Sequence, residues 1–174
     1  YRFVTERPKN EFTEQSLARL SQLYLEKSRY QEARPLLERL EKEAASEENR
    51  IFAQSNLMKV YDESNNPAQA AAYAEKVIAN SQADERARND ARVIVARSAM
   101  KSGNENKAKA AYAEVQKTAS GELAAEALYY DAYFKNKDGN YEASNAAVQV
   151  LAKDFSGYKK WGGKGLVLMG KNFD

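Results

Sequence analysis

At 174 residues the chain is long enough for one ordinary domain with a real core, or for a short array of stacked units. Its 27 Lys and Arg nearly cancel 25 Asp and Glu, so no overall field draws it to nucleic acid or an anionic bilayer, and no run of about 20 apolar residues exists to cross one. Histidine and cysteine are both absent, which removes the commonest general base, the usual zinc and haem ligands, every thiol nucleophile and every disulfide.

The remaining signal is helical. In LSQLYLEKSRYQEARPLL the apolar residues Leu20, Leu23 and Tyr24 stop at Lys27-Ser28-Arg29 and resume at Tyr30, Ala33, Leu36 and Leu37. Two helical stripes joined by a tight reversal predict helices over 12–27 and 30–44. Pro35 falls about a turn inside the second, where it should bend the helix or release one backbone bond. Past the polar link SEEN come helices over 48–63 and 67–80, with Pro67 at a first helical position behind Asn66 as cap. The link NSQADE then leads to 84–101 and 105–118. A fourth pair spans 121–137 and 141–154, and a last helix spans 158–173. No alternating Val, Ile or Thr pattern marks a strand.

The first hairpin recurs. LMKVYDESNNPAQAAAYA, VARSAMKSGNENKAKAAY and DAYFKNKDGNYEASNAAV align beneath it at offsets of 37, 38 and 36 residues. One column holds Leu20, Leu57 and Val95. The next holds Ser21, Met58, Ala96 and Ala132, where two helices must approach closely. Ser28, Asn65, Gly103 and Gly139 occupy the turn, and these residue types cap helices or tolerate positive φ. Ala33, Ala70, Ala108 and Ser144 fall at the tightest crossing of the second helix, and Leu37, Ala74, Tyr112 and Val148 on its inner face. Asp131 is out of place in the Leu20 column, because burial of an unpaired carboxylate costs several kcal/mol. A local register shift that turns Tyr130 and Phe134 inward accounts for it.

At these columns the chain resembles the tetratricopeptide repeat, whose helix-turn-helix unit carries leucine and a small residue, then an aromatic, then alanine and a large apolar residue at these spacings. The usual first tryptophan is replaced by Leu17, Gln54, Arg92 and Leu128, and the aromatic of Tyr24 and Tyr61 becomes Ala99 and Lys135. NRIFAQSNLMKVYDE, AAEALYYDAYF and YEASNAAVQVLAKDFSGYKKW more narrowly resemble repeat arrays in large cell-envelope proteins of Bacteroidetes, akin to outer-membrane assembly lipoproteins. The resemblance implies an all-α fold, an α-α superhelix or solenoid over 1–174, with repeats at 12–44, 48–80, 84–118 and 121–154 and a partial one at 158–174. YRFVTERP resembles the tail of a second helix and GLVLMGKNFD a first helix alone, so the expectation is an interior piece of a longer array. No signal peptide is expected in the opening YRFVTERPKN.

One hairpin buries too little apolar area to offset the entropy of ordering it, whereas stacked neighbours share a continuous core and present an extended concave surface. The resemblance places on that surface Gln22, Lys59, Arg97, Lys101, Tyr129, Tyr133 and Lys137, with Gln15, Glu26, Phe52, Ser55, Asp62, Asp90, Glu126, Lys164, Val167 and Lys171 beside them. Tyr129 and Tyr133 share one helical face and would grip a partner while Arg97 and Lys137 pair with its acids; the alternative is that both tyrosines pack against the next repeat. The carboxylate clamp of chaperone-binding tetratricopeptide proteins maps onto Ala18, Gln22, Asn56, Asp90 and Ile94, and only Asn56 matches. Asn56 is instead expected to bond between repeats.

WGGKG lacks the phosphate-loop spacing and a preceding strand, so its glycines point to close helix contact. Lys159, Lys160, Lys164 and Lys171 form a basic patch, expected to be a solvated face with an acidic partner as the alternative. Pairs such as Glu41/Glu43 and Glu47/Glu48 diverge on a helix and do not converge on a substrate. The expectation is a non-enzymatic scaffold for a protein or peptide, without cofactor, metal, nucleic acid or membrane insertion, periplasmic or outer-membrane-associated. The alternative is a glycan- or peptidoglycan-binding module with Tyr129, Tyr133 and Trp161 as stacking platforms.

Overall fold

The computed structural model describes residues 2–173. Over these the chain is helical, without strands: α1 (Arg2–Thr5, a single turn), α2 (Thr13–Glu26), α3 (Tyr30–Glu43), α4 (Glu47–Glu63), α5 (Pro67–Ala79), α6 (Glu85–Lys101), α7 (Glu105–Thr118), α8 (Gly121–Lys137), α9 (Tyr141–Asp154) and α10 (Lys159–Lys171). The fold is all-α, and helices adjacent in sequence pack on one another. The chain divides into two compact units, residues 1–98 and 99–174, the division falling within α6. In the first, α2 packs on α3, α3 on α4 and α4 on α5, and α2 also touches α4. In the second, α7 packs on α8, α8 on α9 and α9 on α10, and α10 returns to α8.

Four reversals have the same backbone. Ser28, Asn65, Gly103 and Gly139 are left-handed, with φ of 54°, 53°, 73° and 76°. Each donates its N–H to the carbonyl three residues back, at 2.9, 3.0, 3.1 and 2.9 Å. The following N–H then reaches five residues back, to the carbonyls of Tyr24, Tyr61, Ala99 and Lys135, at 2.8 to 2.9 Å. This paired closure satisfies two carbonyls that the helix end would otherwise leave bare. The same residue opens the next helix. Asn66, Asn104 and Asn140 accept, through their side-chain oxygens, the N–H groups of Gln69, Lys107 and Ala143 at 3.3, 3.1 and 3.2 Å. Arg29 takes that place in the first reversal without capping, and binds Glu32 instead at 2.6 and 2.8 Å.

Between the turns, the two crossing columns are fully buried. Ser21, Met58, Ala96 and Ala132 have no exposed surface, nor do Ala33, Ala70, Ala108 and Ser144. Ser144 Oγ donates to the Ala132 carbonyl at 2.9 Å, a distance open only where the opposing side chains are this small. Leu37, Ala74, Tyr112 and Val148 are buried beside them; fully burying a side chain of leucine size contributes about 1.5–3 kcal/mol. Leu57 and Val95 are buried as their column requires, but Leu20 is only half-buried. On its side the preceding second helix amounts, among the described residues, to the single turn α1. α3 continues through Pro35, which lies on the exposed side of the helix.

Carboxylates and arginines tie one hairpin to the next. Glu14 of α2 accepts the Ala45 and Ser46 N–H groups at 3.0 and 3.1 Å and the Asn49 amide at 2.8 Å. Burial works to raise its pKa, but these bonds outweigh burial and hold it below the usual carboxylate range. Glu41 of α3 takes the Gln54 amide at 3.1 Å and the Lys76 ammonium at 2.9 Å, and is lowered in the same contest. Arg50 and Arg88, early in α4 and α6, donate to the carbonyls of Ala44 (2.7 Å) and of Asn80 and Ser81 (3.2 and 3.0 Å) at the preceding helix end. Asn56, expected to bridge repeats, donates instead to the Phe52 carbonyl one turn back in its own helix, at 2.8 Å, the local bond a short amide side chain can make within a helix.

Tyr130 and Phe134 turn inward as expected, but without the expected register shift: Ala132 and Phe134 are buried in the same columns as Met58 and Val60. Phe134 is buried, Tyr130 stacks on Tyr112 with ring centroids 4.3 Å apart, and Asp131 turns to Lys135 at 2.7 Å. Glu126, expected on the groove, is buried instead: it is 1% exposed and accepts the Tyr112 hydroxyl at 2.9 Å. The Tyr112 hydroxyl, absent from its column mates Leu37 and Ala74, satisfies the carboxylate and permits its burial.

Two outcomes test these contacts. Gly103→Ala should cost about 1–2 kcal/mol by urea unfolding, and Asn65→Gly should be neutral or slightly stabilising, since only the former puts a Cβ where none stands at positive φ. Equal losses would refute the shared turn. Glu14→Gln should cost about 1–2 kcal/mol at neutral pH. Because the folded pKa of Glu14 is depressed, its contribution is present above the unfolded carboxylate pKa and is lost as pH falls through the folded value. Wild type and variant should therefore converge in acid; a constant difference down to low pH would exclude this role.

Candidate interaction surface

The predicted surface residues lie on the first helix of each hairpin, and each unit presents its own set. In the first, Gln22 is exposed on α2 and sits in a chain of polar contacts, donating to Glu26 at 3.2 Å and accepting from Arg19 at 3.4 Å. Lys59 of α4 is exposed and pairs with Asp90 of α6 at 2.8 Å. Arg97, two turns further along the same face of α6, lies 4.0 Å from Asp62 of α4. The surface therefore consists of alternating charges already matched across neighbouring first helices. The acids of these pairs are sheltered, but Lys59 is half in water, and a pair with so exposed a cation contributes little to stability and can exchange it for a contact with a visitor.

In the second unit, Lys101 is exposed in the last turn of α6. Lys137 pairs with Glu105 at 3.1 Å and lies over the Tyr133 ring, 5.9 Å from its centroid. Its pKa is raised, first by the hydrogen bond to Glu105 and then by that residue's charge. The Tyr133 hydroxyl donates to the same carboxylate at 3.4 Å. Glu105 thus gathers both predicted residues, although it was not among the expected ones. No local spacing announces it, since it opens α7 and meets the end of α8 only after folding.

Tyr129 and Tyr133 are half-buried, and the packing alternative accounts for most of their surface. Tyr129 lies edge-on to Tyr130 at 5.1 Å and tilted against Trp161 of α10 at 5.6 Å. Tyr133 meets Tyr130 and Phe134 edge-on at 6.0 and 5.4 Å. Burial raises the Tyr129 hydroxyl pKa, helped by Tyr130 and Tyr133. Trp161 is 3% exposed, so it offers no free face to a sugar, and Lys160 and Lys164 sit 4.7 and 4.8 Å from its ring. The basic patch thus spends two of its cations on ring faces. Within WGGKG only Gly165 makes the expected close contact: a Cβ there would fall 3.1 Å from Leu151 and Val148, whereas Gly162 and Gly163 face open space.

No family model, no curated protein and no solved structure matches the chain.

Tyr129→Ala should lower stability by about 2 kcal/mol, roughly half the cost of truncating a fully buried aromatic. Lys59→Ala and Lys137→Ala should leave the melting temperature unchanged. A marked loss in either lysine variant would make these residues structural rather than available to a partner.

Proposed function

We propose that this chain is a non-enzymatic scaffold that binds a peptide or partner protein on the exposed faces of its first helices, with Gln22, Lys59 and Arg97 acting in the first unit and Lys101, Tyr133 and Lys137 in the second. The hairpins are read as tetratricopeptide-type units of an α-α superhelix. By the narrower resemblance they belong to a larger cell-envelope protein, periplasmic or bound to the outer membrane. The observation that supports this reading is the fourfold recurrence of one turn and one set of buried small residues at 36 to 38 residues. A chain that repeats a unit in this way repeats a surface too, and the positions left over on the first helices carry hydrogen-bonding and charged groups rather than core residues.

The test is photo-crosslinking in cells that make the full-length protein. A benzophenone amino acid is placed at Lys59, Lys101 or Lys137 on first helices, and at Ala72 or Lys153 on second helices. The first-helix positions should crosslink to a common protein, and the second-helix positions should not. Equal labelling from both sets, or none from the first, would dispose of the proposal.

A further inference from the structure

The second unit contains a cavity of about 210 Å³ between α7 and α8, on the side of α8 away from Tyr129 and Tyr133. Its floor is apolar, of Tyr112, Ala127 and Phe134, and the exposed Ala113 stands at its mouth. Its rim is polar, with Lys109 and Gln116 on α7 and Asp131 and Lys135 on α8.

The repeat columns explain why space is left there. In the first unit the junction of α3 with α4 is the equivalent place, with Leu57 where α8 has Asp131, Tyr61 where it has Lys135, and Glu38 where α7 has Ala113. In that junction Leu57 is fully buried, and Tyr61 packs against the same core and donates its hydroxyl to Glu38 at 2.6 Å. The chain's own phenol ring fills the seat. In the α7–α8 junction the ring and the leucine are both missing. Asp131 and Lys135 pair with each other along α8 at 2.7 Å, and Ala113 is too short to reach across. Tyr112 and Phe134 are larger than their counterparts Leu37 and Val60, but Tyr112 stacks on Tyr130 and gives its hydroxyl to Glu126, so its bulk goes the other way.

We propose that this cavity binds a small aromatic carboxylate, the ring taking the place that Tyr61 fills in the first unit and the acid group lying at the rim. A dry cavity of about 150 Å³ already accepts a benzene ring, so the size fits one ring with a short side chain. The rim's two lysines are each paired, Lys135 with Asp131 and Lys109 with Asp138, and the charge preference follows from which of these pairs gives way. Lys109 is more than half exposed and holds an equally exposed Asp138 at 2.5 Å, a pair weak enough to be exchanged for a ligand's carboxylate. The inference does not depend on the scaffold reading, because it concerns another face of α8.

The full chain would be titrated with phenylacetate and, as a charge-reversed control, phenethylamine, with amide resonances followed by NMR. Phenylacetate should shift Ala113, Ala127 and Phe134 saturably, with a Kd of about a millimolar, as expected for about ten non-hydrogen atoms; phenethylamine should bind at least about tenfold more weakly. Asp131→Leu restores the apolar residue of the column; it should raise the melting temperature and abolish binding. Should that variant misfold, Ala113→Leu fills the seat from an exposed position, with the same expected loss. Lys109→Glu should weaken phenylacetate several-fold while leaving the fold intact. The proposal fails if phenylacetate produces no saturable shift at these residues, if phenethylamine binds as well, or if both filled variants bind as wild type does.

Discussion

Each hairpin depends on how closely its two helices approach. Ala33, Ala70, Ala108 and Ser144 stand where a larger side chain would force the helices apart, and Ser21, Met58, Ala96 and Ala132 form the matching column on the first helices. Close approach in turn permits a connection of only a few residues, because the chain has little distance to cover. That connection needs one residue in the left-handed region, which Gly103 and Gly139 adopt without steric cost and Asn65 tolerates. Turn and crossing therefore constrain each other: a bulkier crossing residue would strain the turn, and a longer turn would let the crossing open.

Two units built on one plan have diverged in what fills them. The first is closed by leucines, Leu17, Leu37, Leu40 and Leu57, with Tyr61 and Tyr73 stacked at its edge. There burial, and then the bond to Glu38, push the Tyr61 hydroxyl up to about 12, so the ring stays neutral at any physiological pH. The second is closed by rings. Tyr112, Tyr129, Tyr130, Tyr133, Phe134 and Trp161 contact one another across α7, α8 and α10. Rings are rigid and bulky, so they leave gaps that flexible aliphatic chains would close, and the cavity beside Phe134 is such a gap.

Charge on the first helices has a different standing. Lys59 with Asp90, and Lys137 with Glu105, are matched across helices, with each lysine about half in water. They contribute orientation more than stability, and the pairing keeps the surface soluble without committing its cations permanently. Glu14 and Glu41 do the opposite work, since each is sheltered and receives several donors from the neighbouring hairpin.

Helix positions, the four turns and the buried small columns were legible in the amino-acid order, because each rests on a local rule: period, capping and the steric demand of positive φ. Even the misfit of Asp131 was visible, as a charge in an apolar column. Tertiary structure decided what no spacing encodes. Glu126 turned inward, Trp161 was covered by lysines, and Glu105 met Tyr133 and Lys137 from another helix. Each of these depends on what a neighbouring helix brings to it. That is set by the summed packing of many side chains, which a single chain's periodicity leaves open.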